Sequence, residues 1–313
     1  MPLSLRRGRV TAIRERLPEL VRLEVDGVPC IAYPRLTGTV EEGDDVIVNV
    51  QARELELGSG GFDLLYANLT RGLALDSEPG THVMKLPYTP LQHAVAHVEE
   101  SAALAESLGG MPVVCCSLHS QVVPVCAGIG AGVRVAFVQL PGGALPVSLS
   151  DAVRDLKERR LVEAAVAVGA CVDGDIHCVS AASALAWAAG EGFAICVCAV
   201  GPGIVGTGTL LGHGGLAAAE AANAASALGG RPVVAPRSSD RDERERHRGI
   251  SHHTRAILAL CLGEVLVPSE ADAEGWRDAC AGLPLSHMGR GPDEDPAFFA
   301  AAYATGRAAR ALL

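Results

Sequence analysis

The chain has 313 residues, with 26 Lys and Arg against 36 Asp and Glu, and its formal net charge is −10. Because 49% of the residues are hydrophobic and only 20% are charged, the chain can bury a substantial core, which excludes a disordered protein. The acidic balance argues against a dedicated nucleic-acid binder, and no apolar run approaches the ~20 residues that a membrane-spanning helix needs, so we expect a soluble protein.

The cysteines indicate a reducing compartment. All ten lie in apolar surroundings, and none forms a Cys-x-x-Cys pair or a zinc-binding spacing. A core of this size needs no disulfides to be stable, and the first residues contain no apolar signal segment, so we predict reduced, buried thiols and a cytoplasmic protein. A nucleophilic thiol at Cys116, near a predicted strand end, stays an alternative.

The first seventy or so residues predict a small β-barrel. Short, partly alternating apolar runs without a helical stretch are typical of such a barrel, and Asp26-Gly27 forms a hairpin turn between two of them. The predicted strands are residues 8–15, 20–25, 28–33, 40–50 and 62–68. We therefore predict that residues 1–75 form a barrel domain similar to the oligonucleotide-binding type.

Charge disfavours a nucleic-acid partner for this barrel. Residues 1–80 contain 9 Arg and no Lys against 13 acidic residues, a local charge of −4, which is a poor surface for phosphate backbones. A packing, lid or oligomerisation module fits this composition better, and a homo-oligomer stays an open alternative.

From residue 76 to residue 313 the sequence predicts an α/β domain. Residues 71–90 have the Pro and Gly content of a linker, and beyond them apolar runs alternate with stretches of helical periodicity. Buried parallel strands are predicted at residues 94–98, 112–117, 133–139, 164–169, 193–201, 232–236 and 264–268. Helices are predicted at 101–108, 122–129, 149–159, 179–189, 216–228, 253–262 and, at the end of the chain, 298–313. This alternation predicts a doubly wound, mostly parallel sheet of about seven strands.

A glycine-rich segment follows the fifth predicted strand of this sheet. Ligands of open parallel sheets bind outside the carboxyl ends of the strands, and glycines let the backbone approach a ligand closely. Bare N–H groups and threonine hydroxyls can then hold a phosphate or carboxylate, which predicts a ligand-binding role for Gly201, Gly203, Gly206, Thr207, Gly208 and Thr209. The alternative is a tight connection packed against a neighbouring segment.

Histidines and aspartates accumulate at the same predicted edge. His119 follows one strand, Asp175 lies in the loop after another, and His252 and His253 begin a helix behind Ser251. If they converge, these side chains can bind a divalent metal ion or supply a general base with its orienting acid. We predict His119, Asp175, His252 and His253 as catalytic residues, with one of the two adjacent histidines facing a given ligand, and leave the metal and any cofactor open. Alternatively, Ser251 is a helix N-cap and the aspartate belongs to an ordinary turn.

The run from residue 237 to residue 248 mixes charges of both signs. Such a run is either a solvated surface or a lid whose arginines, Arg241 among them, close over an anionic substrate. Both interpretations stay open.

Five ordered stretches carry a family resemblance: Met84-Lys-Leu-Pro-Tyr-Thr-Pro90, Leu118-His-Ser120, Gly142-Gly-Ala-Leu-Pro146, Gly201-Pro-Gly-Ile-Val-Gly-Thr-Gly-Thr209 and Glu245-Arg-His-Arg-Gly-Ile-Ser-His-His-Thr254. Through them the chain resembles a bacterial family called domain of unknown function 3866. The resemblance implies no reaction, cofactor or catalytic residue. The residues themselves predict an enzyme that acts on a small anionic metabolite, phosphorylated or carboxylated, at the carboxyl edge of the sheet. The alternative is a sensor of a nucleotide-like ligand, or a scaffold protein, without enzymatic activity.

Overall fold

The structure is a computed structural model that describes residues 3–57, 61–72, 75 and 79–313. The chain divides into two compact units, Met1–Val95 and Ala96–Leu313. The domain boundary that the sequence predicts at residue 76 lies outside the described residues. Within the described ranges, no helix combines the length and the apolar character that crossing a membrane requires.

The first unit contains the predicted barrel, and its closure is confirmed. Its five strands follow the order β1-β2-β3-β5-β4 around the barrel, and β1 pairs with both β2 and β4. They are β1 (Leu5–Leu17), β2 (Leu20–Val25), β3 (Val28–Ala32), β4 (Asp45–Asn49) and β5 (Asp63–Asn68). Alternating residues of the strands, such as Leu23 and Val25, fill the interior because side chains of a strand alternate between its two faces. The other elements of this unit are α1 (Pro34–Thr37), α2 (Gln51–Glu54), β6 (Met84–Lys85) and β7 (His93–Ala94).

The second unit is built on a six-stranded, all-parallel sheet in the order β11-β10-β9-β12-β8-β13. Its strands are β8 (Pro112–Cys116), β9 (Val135–Leu140), β10 (Ala164–Val168), β11 (Ile176–Cys178), β12 (Ile195–Val200) and β13 (Arg231–Ala235). Every residue of β8, β9 and β12 is buried, which explains why their sequences are apolar except for Gln139 in β9. A two-residue pair, β14 (Ser238–Ser239) and β15 (Gly249–Ile250), lies beyond β13.

Helices cover both faces of the sheet, which confirms the doubly wound fold. They are α3 (Val122–Ile129), α4 (Asp151–Glu158), α5 (Ala181–Gly190), α6 (Ala217–Ala227), α7 (His252–Leu260), α8 (Trp276–Ala279) and α9 (Pro296–Arg310). Helices α5, α6 and α7 pack on one face of the sheet. Helices α3, α4 and α9 pack on the other.

The sheet differs from the predicted seven strands at its margins. The predicted strand 94–98 does not join it, because β7 pairs with β6 in the first unit. Residues 264–268 contribute only a bridge between Leu266 and Val233, whereas Ile176–Cys178, predicted as loop, forms an edge strand. Residues 101–108, predicted as a helix, form none. These segments are short or lie at an edge, where the hydrophobic pattern is weakest.

Candidate functional site

The segment between β13 and α7, residues 236–251, folds inward and is here called the charged loop. Arg237 and Asp242 are only 3% and 2% exposed, although the surrounding sequence is strongly charged. The β14–β15 pair closes the loop, and the Ser239 hydroxyl accepts hydrogen bonds from the amides of Arg241 and Asp242, at 3.3 and 3.1 Å. The charged loop therefore has a buried part, which contains Arg237 and Asp242, and an exposed part, which contains Arg241.

Asp242 is the centre of this loop. Arg244 binds the carboxylate through two nitrogens, each at 2.9 Å, while Arg237 and Arg290 approach it at 3.3 and 3.6 Å. Burial alone would raise the pKa of Asp242, but the hydrogen bonds and charge of Arg244 outweigh it and hold that pKa well below its usual range. Burial lowers the pKa of Arg237 to about 10, so the guanidinium stays protonated at neutral pH.

A second buried carboxylate, that of Asp295, extends the charged network. It is fully buried, accepts a hydrogen bond of 2.7 Å from the Ser239 hydroxyl and one of 3.2 Å from Arg290 Nε. Three arginines (237, 244 and 290) thus face two carboxylates, and the network carries one positive charge in excess.

Four histidines lie beside Arg237 and are here called the histidine cluster: His213, His247, His252 and His253. The ring centroids of His213 and His253 are 3.7 Å apart and the rings are stacked, while His252 lies 4.5 Å from His253 and 4.7 Å from His247. His252 and His253 begin α7, behind the N-cap Ser251. His213 ends the loop after β12, so two loops that are distant in the sequence meet at the carboxyl edge of the sheet.

Hydrogen bonds fix the tautomers of two of these rings. His252 Nδ1 donates to the Arg246 carbonyl at 3.3 Å, and because a carbonyl only accepts, His252 Nε2 keeps its lone pair. Arg237 donates to His253 Nδ1 at 3.3 Å, since a guanidinium only donates. Burial and the nearby cations lower the pKa of His253 to about 2 and that of His247 to about 3, so both rings are neutral at pH 7.

Several buried polar atoms of the site make no hydrogen bond within the described residues. They are His252 Nε2, both ring nitrogens of His213, Arg237 Nε, Arg290 Nη2 and Asp295 Oδ1. Buried polar groups are paired in the great majority of cases, so unpaired ones concentrated in one place indicate a ligand site. Burial also lowers the pKa of His213, with the charge of His252 adding to the shift and the Leu210 carbonyl opposing it.

The glycine loop, residues 201–214, divides into a packed base and an exposed tip. At the base, a Cβ on Gly201 would overlap the Ala144 carbonyl oxygen, so the predicted tight connection is present there. Toward the tip, the Thr207 amide donates to the Gly212 carbonyl at 2.6 Å, and the Thr207 and Thr209 hydroxyls lie 2.8 Å apart. Gly203, Gly206 and Gly208 are exposed, and Gly203 adopts a φ of +70°. The polar groups of Thr207 are therefore occupied within the loop itself.

His119 lies at the same edge but outside the histidine cluster. Its Nδ1 donates to the Val200 carbonyl at 3.2 Å, and its Nε2 accepts from the Ser150 hydroxyl at 2.7 Å. Burial lowers its pKa to about 4. Both nitrogens are thus used to join the ends of β8 and β12 to the start of α4, which is a structural role.

The structure does not bring Asp175 to the site. Its carboxylate binds Lys157 Nζ at 2.6 Å and the Ala165 amide at 2.8 Å, beside the first residues of β10. The reason is topological: β11 runs parallel to β10, so the chain must return to the starting edge of the sheet before β11 begins. Arg241 is exposed, on the outer side of the charged loop.

Sequence reasoning identified His252 and His253, and it missed His213, His247, Arg237 and Asp242 as site residues. It also expected the two adjacent histidines to face different ways, whereas both rings belong to the cluster. The available signal was the position of His213 at the end of the loop that follows β12, next to the 3-10 turn Gly214–Leu216 that leads into α6. No spacing rule pointed to Asp242, since Arg290, one of its partners, comes from a distant segment.

A family model described as "Protein of unknown function (DUF3866)" matches residues 29–278. The match includes the glycine loop, the charged loop and the histidine cluster, and it ends before Arg290 and Asp295. No curated protein matches the chain.

Proposed function

Since the chain belongs to the DUF3866 family, whose function is unknown, we propose its function from the site: it is an enzyme that binds and acts on a small anionic metabolite carrying a phosphate or carboxylate group. The ligand lies between the charged loop and the histidine cluster. The observation that carries the proposal is Arg237, a buried and protonated guanidinium whose Nε makes no hydrogen bond within the described residues.

The charge balance supports an anion. Leaving a buried cationic N–H unpaired costs more than leaving a neutral group unpaired, and an anionic oxygen satisfies it with a charge-assisted bond. Arg290 Nη2 offers a second such donor, and the network already has one positive charge in excess. The first turn of α7 adds the partial positive charge of a helix N-terminus to the same place.

The histidines support chemistry in addition to binding. His252 Nε2 is a buried lone-pair donor with a fixed tautomer, next to the cations that would hold the anion. A reaction at a bound phosphate or carboxylate needs such an electron-pair donor near the ligand. Holding the anion does not require this lone pair, because the cations already provide the attraction, and this favours an enzyme over the alternative of a sensor or scaffold.

Binding is tested by calorimetric titration with inorganic phosphate and with acetate, at low ionic strength. We expect Arg237→Gln to weaken binding of the preferred anion at least tenfold, because the unpaired cationic donor is lost. Arg134→Gln is the matched control, since Arg134 pairs with Glu163 in an exposed position. Equal affinity in the two variants, or no binding to the wild-type protein, would overturn the proposal.

Turnover is tested by incubating the protein with a mixture of phosphorylated and carboxylated metabolites and following their consumption by mass spectrometry. We expect consumption by the wild-type protein and its loss in His252→Asn. Binding of a metabolite without consumption would contradict the enzyme and favour the sensor.

A further inference from the structure

Three members of the histidine cluster have the arrangement of a metal site. His213, His252 and His253 each offer one ring nitrogen, and these nitrogens all lie within 4.8 Å of one another. All three side chains are at least nine-tenths buried, at the carboxyl edge of the sheet. From this geometry we propose that His213, His252 and His253 bind one divalent transition-metal ion, of the Zn²⁺ type; its role in catalysis rests on the function proposed above.

The distances require only side-chain movement. Nitrogen ligands about 2.0–2.1 Å from a tetrahedral zinc ion lie about 3.3 Å from one another, so the nitrogens must approach one another by no more than about 1.5 Å. The stacked rings of His213 and His253 cannot both direct a lone pair at one ion, so one of them has to turn. His213 is the ring that can turn, because the Leu210 carbonyl of its own loop affects its pKa but no hydrogen bond to a described residue holds either ring nitrogen.

The surroundings of His252 match those of a metal ligand. Metal-binding histidines commonly donate their second ring N–H to a backbone carbonyl, which fixes the ring and directs the other nitrogen at the ion. His252 does this through the Arg246 carbonyl, and its Nε2 has no hydrogen-bond partner among the described residues. The chain therefore presents one ligand atom that is already oriented.

His253 becomes a ligand by exchanging its contact with Arg237. The bond from Arg237 to His253 Nδ1 can be given up, because the guanidinium keeps Asp242 as its ion-pair partner when that bond is lost. An ion bound at Nδ1 would release an Arg237 N–H beside the ion. The arginine and the ion would then share the anionic ligand, which offsets the repulsion between two positive groups.

The ligand set selects the class of ion. Three imidazoles without a carboxylate suit Zn²⁺, Co²⁺ or Ni²⁺, whereas Mg²⁺ and Ca²⁺ prefer oxygen. Three protein ligands leave a fourth tetrahedral position for a ligand, as in catalytic zinc sites, and an ion there would polarise a phosphate or carboxylate oxygen. The lone pair of His252 Nε2 would then act on the ligand through the ion and not as a proton acceptor.

The test is a cobalt titration of full-length protein made without a polyhistidine tag and freed of metal with a chelator. We expect one equivalent of Co²⁺ to bind and to give the visible absorption of a tetrahedral site. His213→Asn and His252→Asn should each weaken Co²⁺ binding at least tenfold. His177→Asn is the matched control, because His177 is a buried histidine on β11, at the opposite edge of the sheet.

A wild-type protein that binds no Co²⁺, or variants that bind it as tightly as the control, would overturn the metal site. If His252→Asn fails to fold, as judged by circular dichroism, the His213 variant decides, since its residue lies on a loop. Titration of the metal-free and the Co²⁺-loaded protein with inorganic phosphate separates the two proposals. Phosphate binding without Co²⁺ binding would overturn the metal site but not the anionic substrate. Co²⁺ binding, with no binding of phosphate or acetate and no turnover, would overturn the anionic substrate but not the metal site.

Discussion

The glycine loop and the charged loop both follow strands at the carboxyl edge of the sheet, yet the burial of their residues is the reverse of what their compositions suggest. The glycine loop, which the sequence favours as the ligand cradle, has an exposed tip that hydrogen-bonds to itself. The charged loop, which the sequence allows to be a solvated surface, buries Arg237 and Asp242. Composition alone therefore does not show which residues of the two loops are buried, because burial depends on whether the partners of a charged group are present nearby.

The physical difference lies in the available partners. Each charge in the buried part of the charged loop has an opposite charge at hydrogen-bonding or ion-pair distance, and Asp242 also accepts a hydrogen bond from the backbone amide of Arg244. Burying charges is tolerable only under these conditions. The tip of the glycine loop has few side chains that can contribute buried apolar area, and its apolar residues, Val205, Leu210 and Leu211, remain exposed.

The largest expected effect is at the centre of the charged loop. Asp242→Asn should lower the free energy of unfolding by about 3–5 kcal/mol, because it leaves a buried arginine without its counter-charge. Asp293→Asn is the matched control, since Asp293 also pairs with an arginine but is 92% exposed, and such pairs contribute about 0–1 kcal/mol. Urea denaturation measures both; equal losses would mean that the charged loop is as solvated as the rest of the surface.

Elements whose burial follows from their own sequence could be predicted, whereas elements that depend on contacts with distant segments could not. The strand predicted at 193–201 is observed at Ile195–Val200, because a strand buried on both faces needs a continuous apolar run and the sequence has one. Ile176–Cys178 is too short for any periodicity to indicate it. The burial of Asp242 depends on Arg290, and the histidine cluster forms only where the loops after β12 and β13 meet. These contacts are non-local, so no pattern within either segment indicates them.

The next largest effect should distinguish the base of the glycine loop from its tip. Gly201→Ala places a methyl group against the Ala144 carbonyl, and overpacking of this kind costs about 1–3 kcal/mol. Gly203→Ala meets no atom within 4 Å among the described residues, so its cost comes only from the φ of +70° and should be about 1 kcal/mol. Thermal unfolding of the two variants gives the comparison, and a larger loss at Gly203 would contradict the division into base and tip.

The pH dependence of stability tests the environment of His119, which contacts the carbonyl of Val200 next to Gly201. The pKa of His119 is about 4 in the folded protein against an ordinary value of 6.5, so between these values the unfolded chain binds a proton that the folded protein does not. The free energy of unfolding should therefore fall as the pH decreases through this window. Between pH 7 and pH 5 it should fall by about 2 kcal/mol more in the wild type than in His119→Gln. Parallel pH profiles of the two proteins would contradict the neutral, doubly bonded ring.

The smallest effect is expected at the tip of the glycine loop, in Thr209→Ala. The Thr209 hydroxyl is exposed and contacts the Thr207 hydroxyl at 2.8 Å, so its loss should change the free energy of unfolding by no more than about 0.5 kcal/mol. The affinity for inorganic phosphate should also stay unchanged, because the proposed anion contacts are Arg237 and Arg290. A tenfold loss of phosphate affinity in Thr209→Ala, with no loss in Arg237→Gln, would mean that the anion binds at the glycine loop and not at the charged loop. Calorimetric titration of both variants under identical conditions therefore decides which of the two loops holds the anion.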